Sequence, residues 1–206
     1  DPKIDGDFFD RQGVSLLDYA VCANKLEVVK YVLGEIKKNF KYDASERQRR
    51  IESRISKDGF LHFGIPGSCT ALIGAMAFAS PEIVQLLLKH GANAYATEIS
   101  GNNPLMAACA TNRVDNVKFW LNEFPDWNLE ARNTVVGGVA LGIAVFMGPK
   151  RLELTKILIQ SGACVDTRTD SGGSVLGSAC GNEDADPAVV RFILQHVKNV
   201  NYQQGS

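Results

Sequence analysis

The side chains of this chain that could hold a metal ion or carry out nucleophilic chemistry include three histidines and five cysteines. His90 and His196 fall at the ends of predicted helices, where the helix dipole favours a partly positive imidazole. No Cys-x-x-Cys or His-x-x-x-His pair provides the spacing of metal ligands, and no nucleophile has a base at local spacing. The sequence therefore predicts no catalytic residue, no metal, no cofactor and no enzyme.

Two further segments carry groups that bind phosphates or cations in other proteins. Gly172-Gly173-Ser174 lacks the lysine of a phosphate-binding loop. Glu183, Asp184 and Asp186 crowd one short stretch, which we interpret as an acidic surface loop and not as a cation site. Neither segment predicts a ligand.

The elements that would position any site form an internal repeat. Five times a residue is followed two positions on by Leu and five positions on by Ala, beginning at Ser15, Thr70, Asn103, Val139 and Ser174. These starts lie 55, 33, 36 and 35 residues apart. A period of about 33 residues indicates stacked repeats, and such an array usually presents a binding surface.

Each repeat predicts two helices and a hairpin. The first helix is short and carries small residues such as Ala75 and Ala144, which let helices lie close together. The second, such as Pro81 through Leu88, has the apolar spacing of a helix buried between neighbours. Glycines then end the helix and turn the chain towards the next repeat.

This pattern resembles the ankyrin repeat. The family's Gly, any residue, Thr, Pro, Leu, His and Ala pattern is matched by Gly101-Asn102-Asn103-Pro104-Leu105, with Ala108 after it. The resemblance implies an all-α solenoid of stacked antiparallel helix pairs joined by β-hairpin-like loops. None of the repeats has the family's histidine, whose positions are Asp18, Ile73, Met106, Gly142 and Gly177.

We expect a single domain over residues 1–206, excised from a larger protein. Its repeats are predicted at about residues 8–41, 64–98, 99–132, 135–168 and 170–203, with a basic insertion at about 42–63.

The insertion allows two interpretations. Arg47, Arg49, Arg50 and Arg54 could form a basic arm for an acidic partner, RNA or anionic lipid. The simpler interpretation, which we prefer, is a loop with one helix and solvated charges, dispensable for folding. Ser53 follows two arginines and matches the pattern of a basophilic kinase site only weakly.

The ankyrin resemblance also implies where a partner protein would bind. Its concave face is formed by the hairpin tips and the outer sides of the first helices. Transferring these positions gives Phe78, Ile99, Ser100, Asn102, Thr111, Val135, Val136, Phe146 and Met147 as partner-binding candidates. The apolar members would form one contiguous patch, and such patches commonly mark interaction sites. Alternatively, Phe146 and Met147 could fold into the loop before Pro149.

Charge and cysteine content narrow the function classes. A formal net charge of −1 lacks the basic footprint of a nucleic-acid-binding domain, and no apolar run reaches the roughly 18 residues of a membrane span. Five cysteines without framework spacing favour free thiols and an intracellular location, cytoplasmic or nuclear. We therefore expect a monomeric protein-interaction module. The alternative is a regulatory or ligand-sensing ankyrin domain of a larger enzyme or channel.

Overall fold

The computed structural model describes residues 9–11, 13–35, 44–56, 59, 64–181 and 184–197. Within these ranges the chain forms eleven helices and two isolated antiparallel bridges, Phe9 with Ser15 and Arg168 with Ser174. The predicted all-α fold is confirmed. None of the helices in the described residues is long and apolar enough to cross a membrane. His62 and Glu183 lie outside the described residues.

The chain divides into two compact units, Asp1–Ala107 and Ala108–Ser206. The helices of the first unit are α1 (Leu16–Cys22), α2 (Leu26–Val32), α3 (Ala44–Ile51), α4 (Ala71–Phe78) and α5 (Pro81–Lys89). The units divide within α6 (Pro104–Ala110). Those of the second unit are α7 (Val114–Glu123), α8 (Ala140–Phe146), α9 (Leu152–Gln160), α10 (Val175–Cys180) and α11 (Pro187–Leu194).

The first unit stacks two helix pairs. Helix α1 packs on α2 and on α4, and α5 packs on α4 and on α2. Leu72, Met76, Ile83 and Leu87 are fully buried in this stack. The predicted apolar spacing therefore faces neighbouring helices, as a layered repeat requires.

A capping box begins α1. The Ser15 hydroxyl accepts a hydrogen bond from the Asp18 N–H at 3.1 Å, and the Asp18 carboxylate accepts one from the Ser15 N–H at 2.9 Å. The Ser15 hydroxyl also donates to that carboxylate at 2.6 Å. These bonds satisfy N–H groups that helix geometry leaves unpaired at the N-terminus.

Helix α3 packs into the first unit. Ile51 and Ile55 are buried, and Ile55 belongs to an apolar cluster with Val14, Cys69 and Ile73. The Ile55 N–H donates to the Cys69 carbonyl at 3.1 Å. This packing argues against the prediction that the insertion is dispensable, because removing it would expose the cluster.

The described arginines of the insertion also differ from the solvated charges that we expected. Arg50 is buried. Arg54 Nη1 donates to the carbonyl oxygens of Ser68 and Thr97, at 2.7 and 2.6 Å. Arg49 and Arg54 are exposed and Arg47 is half-buried, so the basic arm stays a prediction. The Ser53 hydroxyl donates to the Arg50 carbonyl at 2.8 Å and is part-buried.

The second unit repeats the same layering. Helix α8 packs on α9 and on α10, α11 packs on α10 and on α9, and α7 packs on α9. Leu141, Leu154, Leu158 and Ile193 are buried at these contacts. Helices α8 and α10, each the first helix of its repeat, therefore lie side by side. A hairpin tip precedes each of them in the chain.

Candidate groove of the second unit

Four hairpin tips share one construction. A polar side chain at the start of each tip accepts a hydrogen bond from a backbone N–H four or five residues further on. The four side chains are Asp10, Glu98, Asn133 and Thr169, which accept from Val14, Asn102, Gly138 and Gly173 respectively. Each tip also has a glycine with positive φ: Gly13, Gly101, Gly137 and Gly172. The tips are therefore held by side-chain caps as well as by backbone bonds.

The tip at residues 133–138 is one residue longer than the others. Its closing backbone bond runs from the Asn133 N–H to the Gly138 carbonyl, whereas the Thr169 N–H of the next tip donates to the Gly173 carbonyl. The longer tip presents Val135 and Val136 to solvent, 66% and 50% exposed. The Asp170 N–H donates to the Val136 carbonyl at 3.0 Å, so the two tips are joined.

A groove lies between these two tips and the helices α8 and α10. It encloses about 360 Å³. One wall is apolar and is formed by Val136, Ile143, Phe146 and Met147. The facing wall carries hydroxyl groups from Thr169, Ser171, Ser174 and Ser178.

A glycine in α8 leaves part of this space open. Gly142 lines the groove, and a Cβ atom added to it would have no atom within 4 Å among its neighbours. The equivalent positions of the three earlier repeats carry Asp18, Ile73 and Met106, each at most 2% exposed. In those repeats a side chain fills the position that glycine leaves empty here.

A model of the ankyrin repeats, with three copies, matches residues 60–133. These residues are therefore similar to ankyrin repeats. The matched ankyrin segment contains α4, α5, α6 and α7 together with the tip at residues 98–102. The groove lies after it, in helix pairs with the same layering and the same capped tips. A search of curated proteins found no match. Ankyrin repeats are generally protein-interaction modules and are typically not catalytic.

Of the residues that the ankyrin resemblance assigned to partner binding, three line the groove: Val136, Phe146 and Met147. Phe146 and Met147 are 54% and 49% exposed, so they lie at the surface and are not enclosed by the loop before Pro149. Thr111 is exposed in the second unit as well, and its hydroxyl faces the Ala108 carbonyl at 3.5 Å.

Val135 lies on the longer tip of the second unit and does not line the groove, and the other four candidates lie in the first unit. Ile99 is 52% exposed at its hairpin tip, and its N–H donates to the Gly67 carbonyl at 3.0 Å. The Ser100 and Asn102 N–H groups donate to the Glu98 carboxylate at 2.7 and 3.0 Å. Phe78 is half-buried against the apolar cluster that includes Ile73. It therefore contributes to packing in the first unit, contrary to its expected place outside the core. The contiguity of one patch across both units stays a prediction.

The sequence reasoning missed Gly142, Ile143, Ser174 and Ser178 as groove residues. The sequence did contain a signal for the groove, because Gly142 stands where the ankyrin pattern has a histidine. We interpreted that glycine only as a departure from the family pattern. The effect of that glycine depends on what surrounds it, so the open space became evident only from the packing of α8 beside α10.

The groove carries little charge. Arg168 is the one charged side chain among its lining residues, and its Nη1 atom donates to the Gly172 carbonyl at 2.9 Å. Across the described ranges, no group of three or more His, Cys, Asp or Glu side chains could hold a metal ion. The arrangement thus suits burial of apolar groups together with hydrogen bonds from hydroxyls.

Proposed function

We propose that this chain is a protein-interaction module that binds a partner peptide or loop through the groove of its second unit. The observation that carries the proposal is the apolar wall of Val136, Phe146 and Met147, half of whose side-chain surface remains in water. Ankyrin repeats in residues 60–133 support the same class of function.

A partner would gain binding free energy by covering the apolar wall of the groove. Burial of apolar surface stabilises a complex by roughly 25 cal/mol per Å², and a few anchors usually supply most of the interface energy. Phe146 projects from the end of α8, and Val136 lies on the tip that the Asp170 N–H bond joins to its neighbour. Both anchors are thus held by the fold before a partner arrives, which reduces the ordering cost of binding.

The test is selection of peptides from a displayed random library against the whole chain, followed by titration calorimetry. We expect Phe146→Ser and Val136→Ser each to lower the affinity for a selected peptide by about tenfold or more, the range of a binding hot spot. The control is Val28→Ser, since Val28 is a 40% exposed valine on α2 of the first unit. If both groove variants bind every selected peptide as the parent does, the groove is not the interaction site.

A further inference from the structure

We infer that the partner is an extended peptide segment that places one uncharged apolar side chain in the groove beside Gly142. The inference rests on the proposed function and specifies its ligand. It starts from the empty position at Gly142, which has open space where a Cβ would be. A group from outside can reach this position without meeting an atom within 4 Å of the Cβ site.

The size of the space favours one side chain over a larger element. The groove encloses about 360 Å³, near the lower end of the roughly 300–1,000 Å³ typical of small-ligand sites. A docked helix presents successive anchors at i, i+3 and i+4, whereas Gly142 is the one lining glycine with open space around a Cβ. We therefore expect one large apolar side chain with its flanking backbone.

The chemistry of the walls selects an uncharged group. Ile143, Phe146 and Met147 offer apolar contacts, and burying a charge against them without a partner is costly. Arg168 could offer a charge, but its guanidinium already donates to the Gly172 carbonyl. A basic side chain would be repelled by Arg168, and an acidic one would have to leave water to lie against the apolar wall.

The hydroxyl wall favours a peptide over a simple hydrocarbon ligand. The Ser174 Oγ atom accepts the Gly177 N–H at 3.0 Å, so its own proton can be donated outward. The Thr169 Oγ1 atom accepts the Gly173 N–H at 2.9 Å and lies 3.1 Å from the Ser171 hydroxyl. These hydroxyls could donate to the carbonyl groups of an extended peptide backbone.

The decisive variant is Gly142→Met, which fills the space from within. Gly142 lies inside α8 without a positive φ, and methionine is a better helix former than glycine. We expect the melting temperature to stay equal or rise while the affinity for a selected peptide falls at least tenfold. Gly142→Ala adds one methyl group and should give a smaller loss, which keeps the test open if the larger variant misfolds. The matched control is Asp166→Met, which adds the same side chain at an exposed position outside the groove.

A probe of defined chemistry tests the class of side chain. N-acetyl-phenylalaninamide should shift the amide signals of Gly142, Ile143 and Ser178 in heteronuclear NMR spectra of the parent, and not those of Gly142→Met. N-acetyl-lysinamide and the α-amide of N-acetyl-aspartic acid, whose side chains are charged, should leave these signals unchanged. Equal responses to the charged probes would overturn the inference.

The outcomes separate this inference from the proposed function. If Phe146→Ser loses a selected peptide and Gly142→Met retains it, the groove binds the peptide but the space at Gly142 does not receive a side chain. If both variants retain it, the proposed function fails at this site and the inference fails with it. If Phe146→Ser and Gly142→Met both lose the peptide while Asp166→Met binds it normally, the inference is supported.

Discussion

The carboxylate of Asp170 lies against the backbone of Gly137, so closely that a Cβ on Gly137 would sit 2.1 Å from Asp170 Oδ1. The same Oδ1 atom pairs with Arg132 Nη1 at 3.3 Å, and Arg132 donates to the Gly137 carbonyl at 2.9 Å. A Cβ on Gly137 would therefore displace the exposed Asp170 carboxylate from this contact. The contact joins the tip at residues 133–138 to the tip at residues 169–173.

We predict that Gly137→Ala destabilises the protein and weakens peptide binding. Gly137 has φ +64°, which costs a non-glycine residue energy, and alanine would also push Asp170 away. Gly162→Ala is the matched control because Gly162 has φ +101° and open space around a Cβ. The loss in free energy of unfolding in urea should be larger for Gly137→Ala, with strain of about 1–3 kcal/mol expected from such positions. Equal losses in the two variants would show that Asp170 moves away without cost.

Arg151 should be a structural residue of the second unit. It is buried, and its guanidinium donates to the carbonyls of Cys109 and Ala110, at 2.7 and 3.1 Å, and to that of Met147. Arg151→Met should cost about 1–3 kcal/mol, because the carbonyls lose their donor. Arg151→Lys should recover only part of this loss, since an ammonium group lacks the planar fork of guanidinium. Urea unfolding measures both variants, and a loss below about 0.5 kcal/mol for Arg151→Met, the range of an ordinary surface change, would contradict the assignment.

Asp18 should make stability depend on pH between its unfolded and folded pKa values. Burial raises the pKa of Asp18 from 3.8 to about 6, against the opposing effect of its hydrogen bonds to Ser15. The folded state therefore holds this proton more tightly than the unfolded state. Its contribution to stability is fully present below pH 3.8 and is lost as the pH rises through about 6.

The measurement is the free energy of unfolding of the parent and of Asp18→Asn at pH 4, 5, 6 and 7.5. The variant should gain stability relative to the parent as the pH rises, since asparagine keeps an acceptor oxygen without a charge. The comparison also cancels groups with the opposite trend, such as Glu35, whose pKa is lowered chiefly by its hydrogen bond from Lys89. Parallel profiles for the two proteins would show that Asp18 titrates alike in both states.

Ile51 should be needed for folding even though it belongs to the insertion. The side chain is fully buried, so Ile51→Ala should cost about 2–5 kcal/mol, the range for truncation of a large buried side chain. Val28→Ala, at an exposed position on α2, should change stability by less than about 1 kcal/mol. Thermal and urea unfolding give the comparison. If Ile51→Ala and Val28→Ala change the stability equally, the insertion would be a dispensable loop after all.

The sequence by itself determined the helix pairs and the class of fold. Apolar residues such as Leu87 and Leu158 recur with a helical period, and Pro81 and Pro187 stand at helix starts. These signals act between residues a few positions apart, so they can be interpreted without tertiary contacts. The exposed valines of the longer tip were also predictable, because the repeat register placed them at a tip.

Only the tertiary structure decided how the insertion and the groove are built. Gln48 donates to the Gly91 carbonyl at 2.9 Å, and Glu52 accepts from the Asn93 N–H at 2.7 Å, each across more than forty residues of sequence. No local pattern encodes such pairs. The same holds for Gly142, because a glycine leaves a binding space only where neighbouring helices do not fill it. Local periodicity specifies which elements form, whereas burial and open space depend on which elements meet.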